Sequence, residues 1–113
     1  MKYYHNPRCT KSRQGLEYLN EKGVEPEVVL YMKEALTKEE VKDVLKALGI
    51  SAMELMRKKE QDFKDQIQGK DLSEDELIAK MIAFPKLMER PIFLNKGKAA
   101  IGRPAENFNQ VIS

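Results

Sequence analysis

The sequence contains a single cysteine, Cys9, and a single histidine, His5. One thiol excludes an internal disulfide framework and a four-cysteine zinc site, and one imidazole excludes a cluster of histidine ligands, so no metal site is expected. Charge of either sign is hardly in excess: twenty Lys and Arg against eighteen Asp and Glu leave a formal net charge of +2. So small a surplus argues against a nucleic-acid binder, which needs a concentrated basic face. No apolar run approaches the roughly 18 residues of a membrane span. The opening Met1-Lys2-Tyr3-Tyr4-His5 is too polar for a secretory signal. The expectation is a reduced, cytoplasmic setting with neither nucleic acid nor membrane as partner. At 113 residues the chain has room for one domain, residues 1–113, with a monomer as the default state; 42% hydrophobic and 34% charged residues suit a folded chain.

What is present falls into three blocks. Lys2 to His5 is a β-prone piece that Asn6 and Pro7 break, and a helix is predicted from Cys9 or Thr10 to Lys22, closed by Gly23. Val28 to Tyr31 is an apolar run suited to a buried strand, which completes a βαβ unit with parallel pairing. The middle block, about 34–85, carries three capping-box spacings: Thr37 with Glu40, Ser51 with Glu54, and Ser73 with Glu76. These open predicted helices that end at Gly49, near Lys59 and near Pro85. In the last block Ile92–Leu94 and Ala99–Ile101 flank an Asn95-Lys96-Gly97 turn as a hairpin, and Pro104 suits the first turn of a closing helix. The predicted fold is α/β: a thioredoxin-like β-α-β and β-β-α core around a four-stranded mixed sheet, with a helical insertion between the halves.

Cys9 stands where a strand ends and a helix begins. The first N–H groups of a helix lack carbonyl partners and favour a thiolate, or an oxyanion bound beside it. Thr10 and Ser12 add hydroxyls; Arg8, Lys11 and Arg13 add positive field. The competing reading, a buried structural cysteine, fits poorly with such basic and polar flanks. His5 is open to two readings, a tuner of the thiol or a satisfied polar residue at a strand end. Position 12, where a C-x-x-C pair would have its second thiol, is Ser12, so any oxidised state of Cys9 needs an external thiol to resolve it. Gly15 stands where a C-x5-R phosphatase loop would have its arginine, so arginines from elsewhere must hold any oxyanion. The candidates are Arg57, Arg90 and Arg103, the last two fixed in extended backbone by the prolines that follow them. Each, taken alone, reads more readily as a solvated charge than as a ligand.

Four ordered motifs resemble the glutaredoxin-coupled arsenate reductases of the thioredoxin-like superfamily. They are His5-Asn6-Pro7-Arg8-Cys9-Thr10-Lys11-Ser12-Arg13, Glu54-Leu55-Met56-Arg57-Lys58, Pro85-Lys86-Leu87-Met88-Glu89-Arg90-Pro91-Ile92, and Gly102-Arg103-Pro104-Ala105-Glu106. The resemblance implies that Cys9 attacks arsenate, that His5 lies near the thiolate, that Arg57, Arg90 and Arg103 bind the oxyanion, and that Pro91 follows a cis bond. It implies glutathione as co-substrate, glutaredoxin as partner and no tightly bound cofactor. The same family also holds glutathione-dependent thiol reductases without arsenate activity and Spx-like transcriptional regulators that contact RNA polymerase. Ser12 argues against the regulators, which commonly carry C-x-x-C as a redox switch.

Overall fold

The computed structural model describes residues 1–112. In chain order the elements are β1 (Lys2–Tyr4), α1 (Thr10–Glu21), β2 (Glu27–Val29), α2 (Lys38–Leu48), α3 (Ala52–Leu55), α4 (Gln61–Gln66), α5 (Glu74–Ala83), β3 (Ile92–Asn95), β4 (Lys98–Ile101) and α6 (Asn109–Ile112). Short 3-10 turns at Pro85–Leu87 and Ala105–Phe108 precede β3 and α6. The chain forms two compact units: Met1–Glu34 with the residues from Arg90 on, and Ala35–Glu89.

The first unit is built on a four-stranded mixed sheet of order β2-β1-β3-β4, parallel between β1 and β2 and antiparallel elsewhere. This is the thioredoxin-like arrangement that the element order predicts. The β3–β4 turn places both Lys96 (φ 51°) and Gly97 (φ 76°) in left-handed backbone, matching the twist of a two-residue hairpin. α1 ends in a Schellman arrangement: the Gly23 N–H donates to the Asn20 carbonyl at 3.0 Å and the Val24 N–H to that of Leu19 at 2.9 Å. Tyr3, Leu19, Phe93, Phe108 and Val111 form the core of this unit. Phe108 meets Tyr3 and Phe93 edge-on, with ring centroids 5.9 and 5.6 Å apart. Gly102 lets the Phe108 ring lie against the backbone, where any side chain would collide with it.

The second unit holds the three capping boxes, each with both reciprocal bonds formed. Val41, Val44 and Leu45 of α2 and Leu77, Ile78 and Met81 of α5 are buried, as their helical spacing predicts.

Several predicted elements are corrected. β2 is an edge strand that starts one residue before the apolar run and ends two residues short of its end, and Val28 is 41% exposed. Its partner β1 ends at Tyr4 opposite Val29, so the ladder stops before Leu30 and Tyr31. The helix predicted from Ala52 to Lys59 stops at Leu55. Met56 turns extended and bridges Met88, with the Arg57 N–H donating to the Leu87 carbonyl at 2.7 Å and the Glu89 N–H to that of Leu55 at 2.9 Å. α4 follows, a helix with no buried residue and no side-chain cap, which therefore leaves little pattern to read. Pro104 precedes the closing helical turn instead of opening it.

Candidate active site

Cys9 is the N-cap of α1. Its extended backbone (φ −92°, ψ 122°) starts the helix one residue later and leaves the sulfur in front of the free N–H groups of the first turn. The turn is tied locally: the Cys9 N–H donates to the Asn6 carbonyl at 3.0 Å, and the Arg8 N–H to Asn6 Oδ1 at 3.1 Å. Asn6 thus closes the loop with its main chain and its side chain at once.

Ser12 is fully buried. Its Oγ lies 2.7 Å from His5 Nδ1 and accepts the Asn6 N–H at 3.0 Å. Its carbonyl accepts the Tyr3 hydroxyl at 2.6 Å. Burial pushes that phenol far above its ordinary range, so it stays a neutral donor. Burial first, and the Arg13 charge second, hold His5 below its ordinary value and favour the neutral ring. The hydroxyl of Ser12 is therefore spent on His5 and Asn6, anchoring α1 to the loop that follows β1, and what Ser12 turns toward the sulfur is its backbone N–H.

The Cys9 thiol is poised between opposing effects. Burial raises its pKa; the Arg90 guanidinium, by hydrogen bonding and by charge, and the N–H groups of Ser12 and Lys11 lower it, and the balance falls below the ordinary thiol value. None of these N–H groups makes a cap bond of ordinary geometry to the sulfur; their influence is that of aimed dipoles.

Arg90 and Arg103 flank the thiol. Arg103 Nε donates to the Arg90 carbonyl at 2.7 Å while its Nη2 reaches Cys9 Sγ at 3.8 Å. Arg90 Nε and Nη1 are buried with no hydrogen-bond partner. Buried guanidinium N–H groups without partners are costly and mark a place for acceptor atoms. Both Arg90–Pro91 and Arg103–Pro104 peptide bonds are cis. Thr10 is exposed, and its Oγ1 accepts Arg13 Nη2 at 3.1 Å. In the helical unit, Arg57 Nη1 donates to Glu60 Oε1 at 2.7 Å, and Arg57 Nε is 3.9 Å from Glu89 Oε1.

Sequence reasoning brought Cys9, His5, Ser12, Thr10, Arg57, Arg90 and Arg103 forward. It passed over Tyr3 as a strand former and Asn6 as a strand breaker, and it counted Arg13 only as positive field. Asn-Pro before a helix start was the available signal for Asn6. Among the described residues no group of three or more His, Cys, Asp or Glu could hold a metal ion, and no helix is long and apolar enough to cross a membrane.

A thioredoxin-like sheet, a lone thiol at the start of its first helix and two Arg-Pro pairs beside the sulfur define a class of single-cysteine, thioredoxin-like proteins. The chain belongs to the ArsC family, whose sequence model matches residues 4–111. It is 51% identical to "Uncharacterized protein YfgD" of Escherichia coli over 99% of this chain and 96% of that one. It is 42% identical to "Arsenate reductase" of Neisseria meningitidis, over 99% and 97% of the two chains. The structure named "Arsenate reductase from Vibrio cholerae" superposes with a TM-score of 0.93 at 39% identity, covering 99% of this chain and 98% of that one.

Proposed function

We propose that this protein reduces arsenate to arsenite through an adduct on Cys9, with glutathione and glutaredoxin as external thiols. The observation that carries the reading is the pair of buried, unpartnered N–H groups of Arg90 beside a thiol whose pKa is depressed. The Cys9 thiolate displaces one oxygen of arsenate, which leaves as water, and forms a sulfur–arsenic(V) bond. Glutathione displaces a second oxygen. A glutaredoxin thiolate then attacks the glutathione sulfur; the electron pair of the sulfur–arsenic bond stays on arsenic, which becomes As(III), and a mixed disulfide forms. Water releases arsenite and restores the Cys9 thiol. The two thiols supply the two electrons, so a chain with one cysteine suffices.

Arg90 and Arg103 receive the arsenate oxygens. Arg57 is assigned to the same anion through the motif Glu54-Leu55-Met56-Arg57-Lys58. Cys9 is the nucleophile, and His5 and Ser12 keep the loop that presents it. Thr10 lies at the first helical position with a hydroxyl hydrogen available to an oxyanion. The protein acts in the cytoplasm, as a monomer, without a bound cofactor.

The test is arsenate-dependent NADPH oxidation in the presence of glutathione, glutaredoxin and glutathione reductase. Turnover that disappears in Cys9→Ser supports the reading. A wild-type protein that reduces glutathione mixed disulfides but leaves arsenate untouched is instead a thiol–disulfide reductase working from the same sulfur.

A further inference from the structure

An N-cap side chain ordinarily does a mechanical job: its oxygen accepts an N–H of the first turn and fixes the path of the chain into the helix. A reactive thiol cannot do that job, and Cys9 makes no such bond. The entry of α1 must be held by other groups, and Asn6 ties only the segment that leads up to Cys9. Arg13, exposed on the first turn of α1, reaches back over the loop. Its Nη1 donates to the Pro7 carbonyl at 2.7 Å and its Nη2 to Thr10 Oγ1 at 3.1 Å. These acceptors lie on either side of Cys9 in the chain, one two residues before it and the other one residue after. A planar guanidinium can serve two acceptors in a fixed fork, whereas an ammonium is a point charge on a flexible stem.

We propose that Arg13 is a positioning residue that replaces the missing cap: by bridging Pro7 and Thr10 it holds the turn around Cys9, and so keeps the Lys11 and Ser12 N–H groups aimed at the sulfur. The inference rests on the reading of Cys9 as a nucleophile, but not on arsenate as its target. The charge that acts most on the Cys9 thiol is that of Arg90, while Arg13 spends its guanidinium on Pro7 and Thr10. Geometry is therefore what Arg13 contributes to the thiolate. Its charge acts on His5, whose protonation it disfavours.

The experiment compares Arg13→Lys and Arg13→Gln with wild type in alkylation of Cys9 by iodoacetamide as a function of pH, with folding monitored by circular dichroism and thermal melting. Lysine keeps the charge and loses the fork; glutamine loses both. Both variants are expected to melt close to wild type, because the residue is exposed. Both should show a higher alkylation midpoint and a several-fold slower reaction at pH 7. Faster amide hydrogen exchange at Lys11 and Ser12 than in wild type should accompany the change in Arg13→Lys. A wild-type midpoint and rate in Arg13→Lys, whatever Arg13→Gln does, overturns the proposal, because charge alone would then suffice. Alkylation needs no arsenate, so a wild-type protein inactive on arsenate but alkylated with a depressed midpoint sinks only the substrate assignment.

Discussion

Replacing Gly15 by alanine sets two physical effects against each other at one position. Gly15 lies inside α1, where alanine is intrinsically better by about 1 kcal/mol. On helix propensity alone the variant is more stable. The packing around Gly15 reverses the sign. A Cβ there would overlap the Tyr3 hydroxyl and sit 3.1 Å from both Phe108 Cε2 and Pro91 Cγ. Two of these neighbours, Tyr3 and Phe108, belong to the buried core, and Pro91 is buried as well, so none has free space to retreat into. Overpacking of this kind costs about 1–3 kcal/mol. Displacing the Tyr3 hydroxyl also weakens its 2.6 Å bond to the Ser12 carbonyl, a further loss of about 1–2 kcal/mol. The net expectation is destabilisation by about 2–3 kcal/mol, or a melting point lower by about 8–15 °C. Urea denaturation of Gly15→Ala in the wild-type and Tyr3→Phe backgrounds measures it. The second background removes the oxygen that the new methyl meets first, so the alanine should cost less there. A variant as stable as wild type, or more so, would refute the close-approach argument and leave helix propensity as the dominant effect.

Cys9 should be alkylated with a midpoint below that of a free thiol, and Arg90→Met should raise that midpoint, because it removes both a hydrogen bond and a charge from the thiolate. The sign for stability follows. A depressed folded-state pKa gives stabilisation that is complete above the unfolded thiol value of about 8.5 and is lost as pH falls through the folded value. Wild type minus Cys9→Ser stability should therefore shrink toward acid across that interval. Thr37→Ala should cost about 1 kcal/mol in urea denaturation, because it removes the 3.1 Å cap from the Glu40 N–H to Thr37 Oγ1 in α2; Thr37→Ser should restore most of it.

Local chemistry was the legible part of this protein. Thr37, Ser51 and Ser73 each announce a helix start because the reciprocal bonds of a capping box span only four residues. Lys96-Gly97 announces the hairpin for the same reason. Features set by distant partners were hidden. α3 ends at Leu55 because Met56 bridges Met88, far along the chain, and no pattern around Met56 encodes that. Val28 looks like a core residue until β2 is known to lie at the sheet edge. At the site, the thiol and the Arg-Pro pairs stood out as residue types in context. The division of labour within Ser12, hydroxyl to His5 and Asn6 but N–H toward sulfur, requires coordinates. So does the Arg13 fork, whose acceptors are a main-chain carbonyl and an exposed threonine.

The tether between Arg103 Nε and the Arg90 carbonyl fixes one arginine by the peptide chain of another instead of by an acidic side chain. Among the described residues the ion pairs are Lys42–Asp75, Arg57–Glu60 and Arg57–Glu89, so neither Arg90 nor Arg103 has a carboxylate to neutralise it. A protein nearly neutral overall thus carries a local surplus of positive charge at its one thiol. A local positive potential attracts small anions from solution. Under the function proposed above, phosphate or sulfate in an assay buffer competes for the same guanidinium groups, and an apparent affinity measured in either buffer describes an exchange of anions, not the filling of an empty site.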